Sequence, residues 1–281
     1  QDVGTIFRMA KHVSSEPLLI SFLTARSISQ LGYGALAAVL DTAEVSPQQA
    51  STVMQEISRI RWEEHLRHTF KGERAFGLWA FDLLNAGPAT LPLLQNGDIP
   101  IVVQWMWRPL AIFWSPFRKM DQVYFLRGWK HILSNLSSQN SPEYDVMALP
   151  WSAALTKALL PVFGRTYSMV RQEEAYADMA RVAFVLHAHR NRTGRYPKTL
   201  AEISNASQRS LPLDPYTKQP FGYRLSPDGF ALYSVGPNKK DNGGKPEWID
   251  STNRIVYDDL PWRNKVGKAL IKSTRLLRKE P

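Results

Sequence analysis

The residues with the clearest potential for chemistry lie near the C-terminal end, in the stretch LYSVGPNKKDNGG from Leu232 to Gly244. A short apolar run with strand character ends there and gives way to glycine, proline, asparagine, aspartate and lysine. Oxygen-bearing side chains on a glycine-punctuated loop can surround a hard cation. The stretch is therefore either a plain connection or a cation site.

Other groupings of reactive residues have spacings that argue against catalysis. The histidines of EEHLRH, Glu63–His68, match neither an HExxH nor an ExxH motif, and we favour a polar helix surface there. Glu173 and Glu174 are adjacent, as are Asp258 and Asp259, and adjacent side chains diverge on a helix or strand. The chain has no cysteine, no GxSxG or SxxK motif and no Walker loop. We expect a protein without enzymatic activity; a site assembled from dispersed residues is the less favoured reading.

The composition indicates a folded chain with a basic surface. Of its 281 residues, 44% are hydrophobic and 21% charged, which is typical of globular proteins. The formal net charge is +10. Such a balance suits nucleic acid, anionic lipid or an acidic protein, or is simply a solvated surface.

Helical periodicity dominates residues 1–150, which we predict to form a helical domain. Ser46 and Pro47 have the composition of a helix start, and Glu73–Leu84 has a helical pattern. Ser115–Pro116 predicts the start of a further helix. The Trp-rich segment 99–129 fits a protein core, or a contact with protein or lipid.

The pattern changes in the second half, where a long helix precedes short strands. Apolar residues at helical spacing predict a helix over about 166–191. An SPDG turn signal joins the first two strands, and the sheet covers about 221–257. The expected fold class is α+β, with a long helix packed on a small antiparallel sheet over 151–260. Three runs have strand character: Phe221–Leu225, Phe230–Val235 and Ile255–Tyr257.

The order of motifs from Glu174 to Tyr257 is specific enough to compare with a known family. After the long helix, the chain reads HRNRTGRYPKTLAEI, LPLDPYTKQPFGYR, FALYSVGPNKKDNGG and IVY. This order resembles the C-terminal region of the major pseudopilin of type II secretion, with its GxYP, DPWGxPY-like turn, YxLYSxGADGxxGG and final DI. It is also similar to uncharacterised bacterial envelope proteins that join a helical region to such a module. The resemblance implies a periplasmic or otherwise extracytoplasmic protein, and it leaves open whether a signal or anchor precedes Gln1.

The resemblance also implies a structural calcium ion in the loop after the LYS strand. The family's acidic residue before the last strand falls near Asn253, and Asp250 is the substitute. Because carboxylates are few and Lys239 and Lys240 flank the loop, we expect weak binding. A calcium-free structural loop is the alternative. The implied ligand set is Leu232, Ser234, Asn238, Asp241, Asp250 and Asn253.

The last segment, 261–281, reads as a basic amphipathic tail. It has seven lysines and arginines against a single acid, Glu280. Such a helix can lie on an anionic membrane surface or dock on an acidic partner. A frayed charged terminus is the alternative.

These features together favour a cell-envelope protein that acts through protein contacts. More than a hundred residues precede the pseudopilin-like module, so we do not expect filament assembly by the usual N-terminal helix. We expect an accessory or structural subunit of a membrane-associated assembly, with one or more protein partners. The alternative is a module that binds a polyanion, anionic lipid or nucleic acid, through the tail; nucleic acid is the less favoured of the two.

Overall fold

The computed structural model describes residues 2–86, 101–136, 145–207, 210–226, 229–244, 248–249, 255–256 and 259–262. Within these ranges the helices are α1 (Asp2–Ser14), α2 (Leu19–Thr42), α3 (Pro47–Ser58), α4 (Trp62–Ala86), α5 (Ile101–Asn135), α6 (Ala154–Thr193) and α7 (Leu200–Ser207). The strands are β1 (Gly222–Ser226), β2 (Gly229–Ser234), β3 (Trp248–Ile249), β4 (Ile255–Val256) and β5 (Leu260–Pro261). The predicted α+β class is confirmed.

The start of α3 is the one that the sequence predicts. The Ser46 hydroxyl accepts the Gln49 amide hydrogen at 3.2 Å, and the Gln49 side chain accepts the Ser46 amide hydrogen at 2.9 Å. Pro47 occupies the first turn, where its missing N–H leaves no bond unmade. This reciprocal cap satisfies two amides that the helix itself cannot pair.

The helix start predicted at Ser115–Pro116 is wrong. Helix α5 begins at Ile101 and continues through this dipeptide to Asn135. An interior proline removes one helical hydrogen bond and crowds the preceding turn, but the helix continues on both sides of it here. A proline therefore marked a position inside this helix rather than its first turn.

The main sheet is antiparallel, with β2 in its centre. Strand β1 pairs with β2 from Gly222↔Tyr233 to Ser226↔Gly229, which confirms the predicted hairpin. Strand β5 pairs with the other edge of β2. The predicted third strand is placed differently: Ile255–Val256 pairs with Trp248–Ile249 in a separate two-stranded sheet.

The chain divides into two compact units. The first comprises residues 1–16, 20–62 and 169–281, and the second residues 17–19 and 63–168. The domain boundaries expected from the sequence stay a prediction. No helix in the described ranges is long and apolar enough to cross a membrane.

Aromatic side chains form the core of each unit. In the first unit, Tyr33 stacks on Tyr176 with ring centroids 5.4 Å apart. Phe7 and Trp262 contact the Tyr33 ring edge-on. Trp262 lies within the segment predicted as a basic tail, but in the structure it is buried in this core. In the second unit, Phe70 packs against Trp129 and Phe81 against Phe125, joining α4 to α5.

Candidate functional site

The loop that follows β2 is held by its own polar side chains. In three places a side-chain oxygen accepts the amide hydrogen of the residue two positions later, which fixes a tight turn. The pairs are Ser234 Oγ with Gly236 N at 3.2 Å, Asn238 Oδ1 with Lys240 N at 2.9 Å, and Asp241 Oδ1 with Gly243 N at 2.8 Å.

A second anchor of the loop comes from the DPYTKQP turn. Asp214 is buried, and its Oδ2 accepts the amide hydrogen of Val235 at 2.9 Å, directly after β2. Its Oδ1 accepts the amide hydrogen of Tyr216 at 2.9 Å, within its own turn. Asp214 therefore ties the turn before the hairpin to the beginning of the loop. An aspartate followed by proline is a common turn signal, but the sequence alone does not predict the bond from Asp214 to the loop.

A third anchor is Asp259, which lies immediately before β5 and is fully buried. Its Oδ2 accepts the amide hydrogens of Asn242 at 3.0 Å and Gly244 at 2.6 Å. The acidic residue that precedes the last strand of the main sheet is thus Asp259. The position expected from the resemblance is near Asn253 instead, because the sequence pattern places the last strand at Ile255–Tyr257.

Tyr233 lies close to both Asp241 and Asp259. Its hydroxyl donates a hydrogen bond to Asp241 Oδ1 at 2.9 Å. Burial, the hydrogen bond and charge of Asp241, and the charge of Asp259 raise the pKa of the phenol to about 12. Gly244, at φ 78°, passes so close to the Tyr233 ring that an added Cβ would lie 2.8 Å from it. The carboxylates of Asp241 and Asp259 and the phenol of Tyr233 therefore lie beside the same short stretch of the loop, Gly243–Gly244.

The predicted calcium ligands differ in their surroundings. The Leu232 carbonyl lies in β2 and accepts the Trp262 amide hydrogen at 2.9 Å. Ser234 is fully buried, whereas Asn238 and Asp241 are exposed. Asp250 and Asn253 lie outside the described residues. Among the residues that are described, no three or more His, Asp or Glu side chains cluster as a metal site.

A buried charged network joins α2 to α6 in the first unit. Glu173 is fully buried, and its Oε1 lies 3.4 Å from Arg26 Nε and accepts a hydrogen bond from Gln30 Nε2 at 2.7 Å. Burial raises the pKa of Glu173 from 4.5 to about 7, against the opposing effects of Arg26 and Gln30. Glu174 instead pairs with Arg171 at 3.0 Å in a more exposed position. The predicted divergence of the two adjacent glutamates is confirmed.

The two histidines of α6 are both buried. His187 Nδ1 lies 3.2 Å from the hydroxyl of Tyr196, and its Nε2 lies 3.9 Å from Asp41. The rings of His187 and Tyr196 both meet Phe230 of β2 edge-on. His187 therefore packs α6 against the sheet, which is a structural role.

Comparison of the chain with protein-family models, with curated proteins and with solved structures finds no match in any of the three. The pseudopilin resemblance, the extracytoplasmic location and the absence of enzymatic activity stay predictions. The basic tail also stays a prediction, since residues 263–281 lie outside the described part of the chain. The site that the geometry does define is the anchored loop after β2.

Proposed function

We propose that the chain is a cell-envelope protein that acts through protein contacts, without catalysing a reaction, as an accessory or structural subunit of a membrane-associated assembly. The observation that carries the proposal is the arrangement of α6, the β1–β2 hairpin and the loop after β2. This is the order of elements that the resemblance to a pseudopilin-like module leads us to expect. The fold alone carries no activity, so the function must lie in the surfaces it supports.

The packing of this module suits a rigid scaffold. Phe230 of β2 meets the rings of His187 and Tyr196, and the hydroxyl of Tyr223 in β1 donates a hydrogen bond to the Pro197 carbonyl at 2.7 Å. The loop is held by buried carboxylates rather than left to solvent. Buried polar groups with satisfied bonds restrict a structure to one conformation, which a structural subunit requires.

The second unit carries an exposed surface suited to a protein partner. Phe76 and Trp79 of α4 are 56% and 55% exposed, and their ring centroids lie 5.5 Å apart. Aromatic side chains are enriched in protein interfaces and often dominate the binding energy. This pair is the contact site that we assign to a protein partner.

The loop after β2 is where we propose that calcium binds. A calcium ion would supply no reaction chemistry there; it would hold the loop and the strand end together. The carboxylates of Asp241 and Asp259 accept the amide hydrogens of the neighbouring residues Gly243 and Gly244, so two carboxylates serve the same short stretch, and a hard cation prefers such oxygens. With few carboxylates we expect affinity in about the millimolar range. The described oxygen donors are those of Leu232, Ser234, Asn238 and Asp241, with Asp259 added.

The test of the proposed function is co-purification from native membranes with a pair of matched variants. F76S/W79S removes the exposed aromatic pair of the second unit. M9S/L31S removes two apolar side chains of similar exposure, 54% and 50%, from the first unit. We expect a defined partner to co-purify with the unaltered protein and with M9S/L31S but not with F76S/W79S. A monomeric protein without a partner from native membranes would contradict the proposal.

A further inference from the structure

The C-terminal half of α5 exposes apolar side chains on one side. Met120, Val123 and Leu126 are 45%, 45% and 41% exposed. They are three residues apart, so they lie on neighbouring turns of one side of the helix. Phe125 and Trp129 point the other way, into the aromatic core with α4.

The charged residues on this outer side of α5 are basic. Lys119, Arg127 and Lys130 are exposed and lie beside the apolar positions. On a helix, residues 119, 123, 126, 127 and 130 share one face because they are three or four residues apart. The outer face of α5 therefore combines apolar and cationic side chains; it consists of Lys119, Met120, Val123, Leu126, Arg127 and Lys130.

The single acidic residue in the sequence of α5 does not reduce this positive charge at the surface. Asp121 is buried, and its carboxylate accepts the amide hydrogens of Leu155 at 2.9 Å and Thr156 at 3.1 Å. It also accepts the Thr156 hydroxyl hydrogen at 2.6 Å. Asp121 thus caps the first turn of α6, where a negative charge is stabilising.

An exposed tryptophan adjoins the same helix. Trp151 is 65% exposed, and its ring centroid lies 5.2 Å from that of Phe117, one turn before Met120. Asp145, which precedes Trp151 in the sequence, is exposed and accepts amide hydrogens from its own turn. Tryptophan is enriched at membrane–water interfaces, because its ring is apolar and its N–H is polar.

We propose that the outer face of α5, together with Trp151, lies in the headgroup region of an anionic membrane with the helix parallel to the membrane plane. Lysine is depleted from protein interfaces, whereas lysine and arginine beside apolar residues are typical of helices that lie on lipid. The long basic side chains can place their charges among anionic headgroups while Met120, Val123 and Leu126 enter the acyl boundary. This site goes beyond the proposed function, which requires a protein partner, and is separate from the predicted basic tail.

The first test is flotation of the purified full chain with vesicles of phosphatidylglycerol mixed with phosphatidylcholine. The variant K119Q/R127Q/K130Q removes three charges from the outer face of α5, and K265Q/K268Q/K272Q removes three from the predicted tail. A basic residue near an anionic surface contributes about 1 kcal/mol, roughly a fivefold change in partitioning. We expect binding of the α5 variant to fall at least tenfold, and binding of the tail variant to stay within about threefold. Unchanged binding of the α5 variant would overturn the proposal, as would a loss confined to the tail variant.

The second test places a reporter on the face itself, and the absence of native cysteine makes the labelling specific. Val123→Cys carries an environment-sensitive fluorophore, and Leu31→Cys, 50% exposed on α2, is the matched control. With anionic vesicles we expect a blue shift and protection from an aqueous quencher at position 123 only. No shift at position 123, or an equal shift at position 31, would contradict insertion of this face. Both tests use purified protein and lipid alone, so they do not depend on the protein partner of the proposed function.

Discussion

Asp259 and Gly244 are joined by a 2.6 Å hydrogen bond between a buried carboxylate and the amide of a glycine at φ 78°. The same carboxylate accepts the amide hydrogen of Asn242. The residue before the last strand of the main sheet therefore fixes the loop that leaves its central strand. This link makes the conformation of the loop depend on a side chain 15 residues away in the sequence.

Removing the Asp259 carboxylate should destabilise the fold. Asp259→Ala leaves the amides of Asn242 and Gly244 without their acceptor next to a buried site, and we expect a loss of about 2–4 kcal/mol in the free energy of unfolding. Urea denaturation followed by circular dichroism measures it. Asp145→Ala is the matched control, since that carboxylate also accepts two amide hydrogens but is exposed. Equal losses in the two variants would contradict the anchoring role of Asp259.

Calcium should raise the thermal stability of the chain only at about millimolar concentrations. A ligand that binds the folded state alone stabilises it by about 1.4 kcal/mol at tenfold its dissociation constant. The thermal midpoint is compared in calcium and in chelator. Asp241→Asn should abolish the increase, whereas Glu44→Gln, which removes an exposed charge from another part of the chain, should retain it. An unchanged midpoint of the unaltered protein at millimolar calcium would refute the ion site.

The buried Glu173 should make stability depend on pH between its two pKa values. Its pKa is raised from 4.5 to about 7 in the folded protein, so the folded state binds the proton more tightly than the unfolded chain. The contribution of proton binding at Glu173 to the free energy of unfolding is complete below about pH 4.5. It falls as the pH rises and is lost above about pH 7. Glu173→Gln stays neutral, so it should be more stable than the unaltered protein at pH 8, by up to about 3 kcal/mol.

The control for this pH dependence is to compare the unfolding free energies of Glu173→Gln and the unaltered protein at each pH. The contributions of the other titrating groups cancel in that difference. That difference in unfolding free energy, measured by urea denaturation, should shrink as the pH falls from 7 towards 4.5. Glu174→Gln, a change at the less buried neighbouring position, is the matched variant for this comparison. A constant difference between Glu173→Gln and the unaltered protein across this range would contradict the buried, proton-binding state of Glu173.

Close packing at Gly77 should make even a methyl group unfavourable. A Cβ added there would lie 2.3 Å from the ring of Phe125, which is itself buried. Gly77→Ala should therefore lower the unfolding free energy by about 1–3 kcal/mol, despite the better helix propensity of alanine. At Gly4 in α1 the nearest atom would lie at 3.8 Å, so Gly4→Ala should be neutral or stabilising by up to about 1 kcal/mol. Urea denaturation of both variants checks this, and a stabilised Gly77→Ala would show that α4 and α5 pack differently.

Local features of the chain were predictable from the sequence. Ser46 and Pro47 mark the start of α3, because a cap depends on residues three positions apart. The β1–β2 hairpin follows from two apolar runs and the turn signal between them. The long helix α6 follows from its periodicity, although its start at Ala154 lies earlier than expected.

The features that were missed depend on contacts between distant parts of the chain. Gln30 and Glu173 form a hydrogen bond although they are 143 residues apart, and no spacing rule connects them. Strand β5 has only two residues, too few for an alternating pattern, so Asp259 did not stand out as the residue before a strand. Asp258 and Asp259 looked like an ordinary acidic pair for the same reason.

The most direct test of the central claim is photo-crosslinking in living cells, with a photoreactive amino acid replacing Trp79. If the chain works through protein contacts at the exposed aromatic pair, Trp79 should crosslink to one defined envelope protein, identified by mass spectrometry. The same replacement at Leu31, which is exposed to a similar degree, should not give that product. Crosslinks to no protein, or the same products from both positions, would contradict the account.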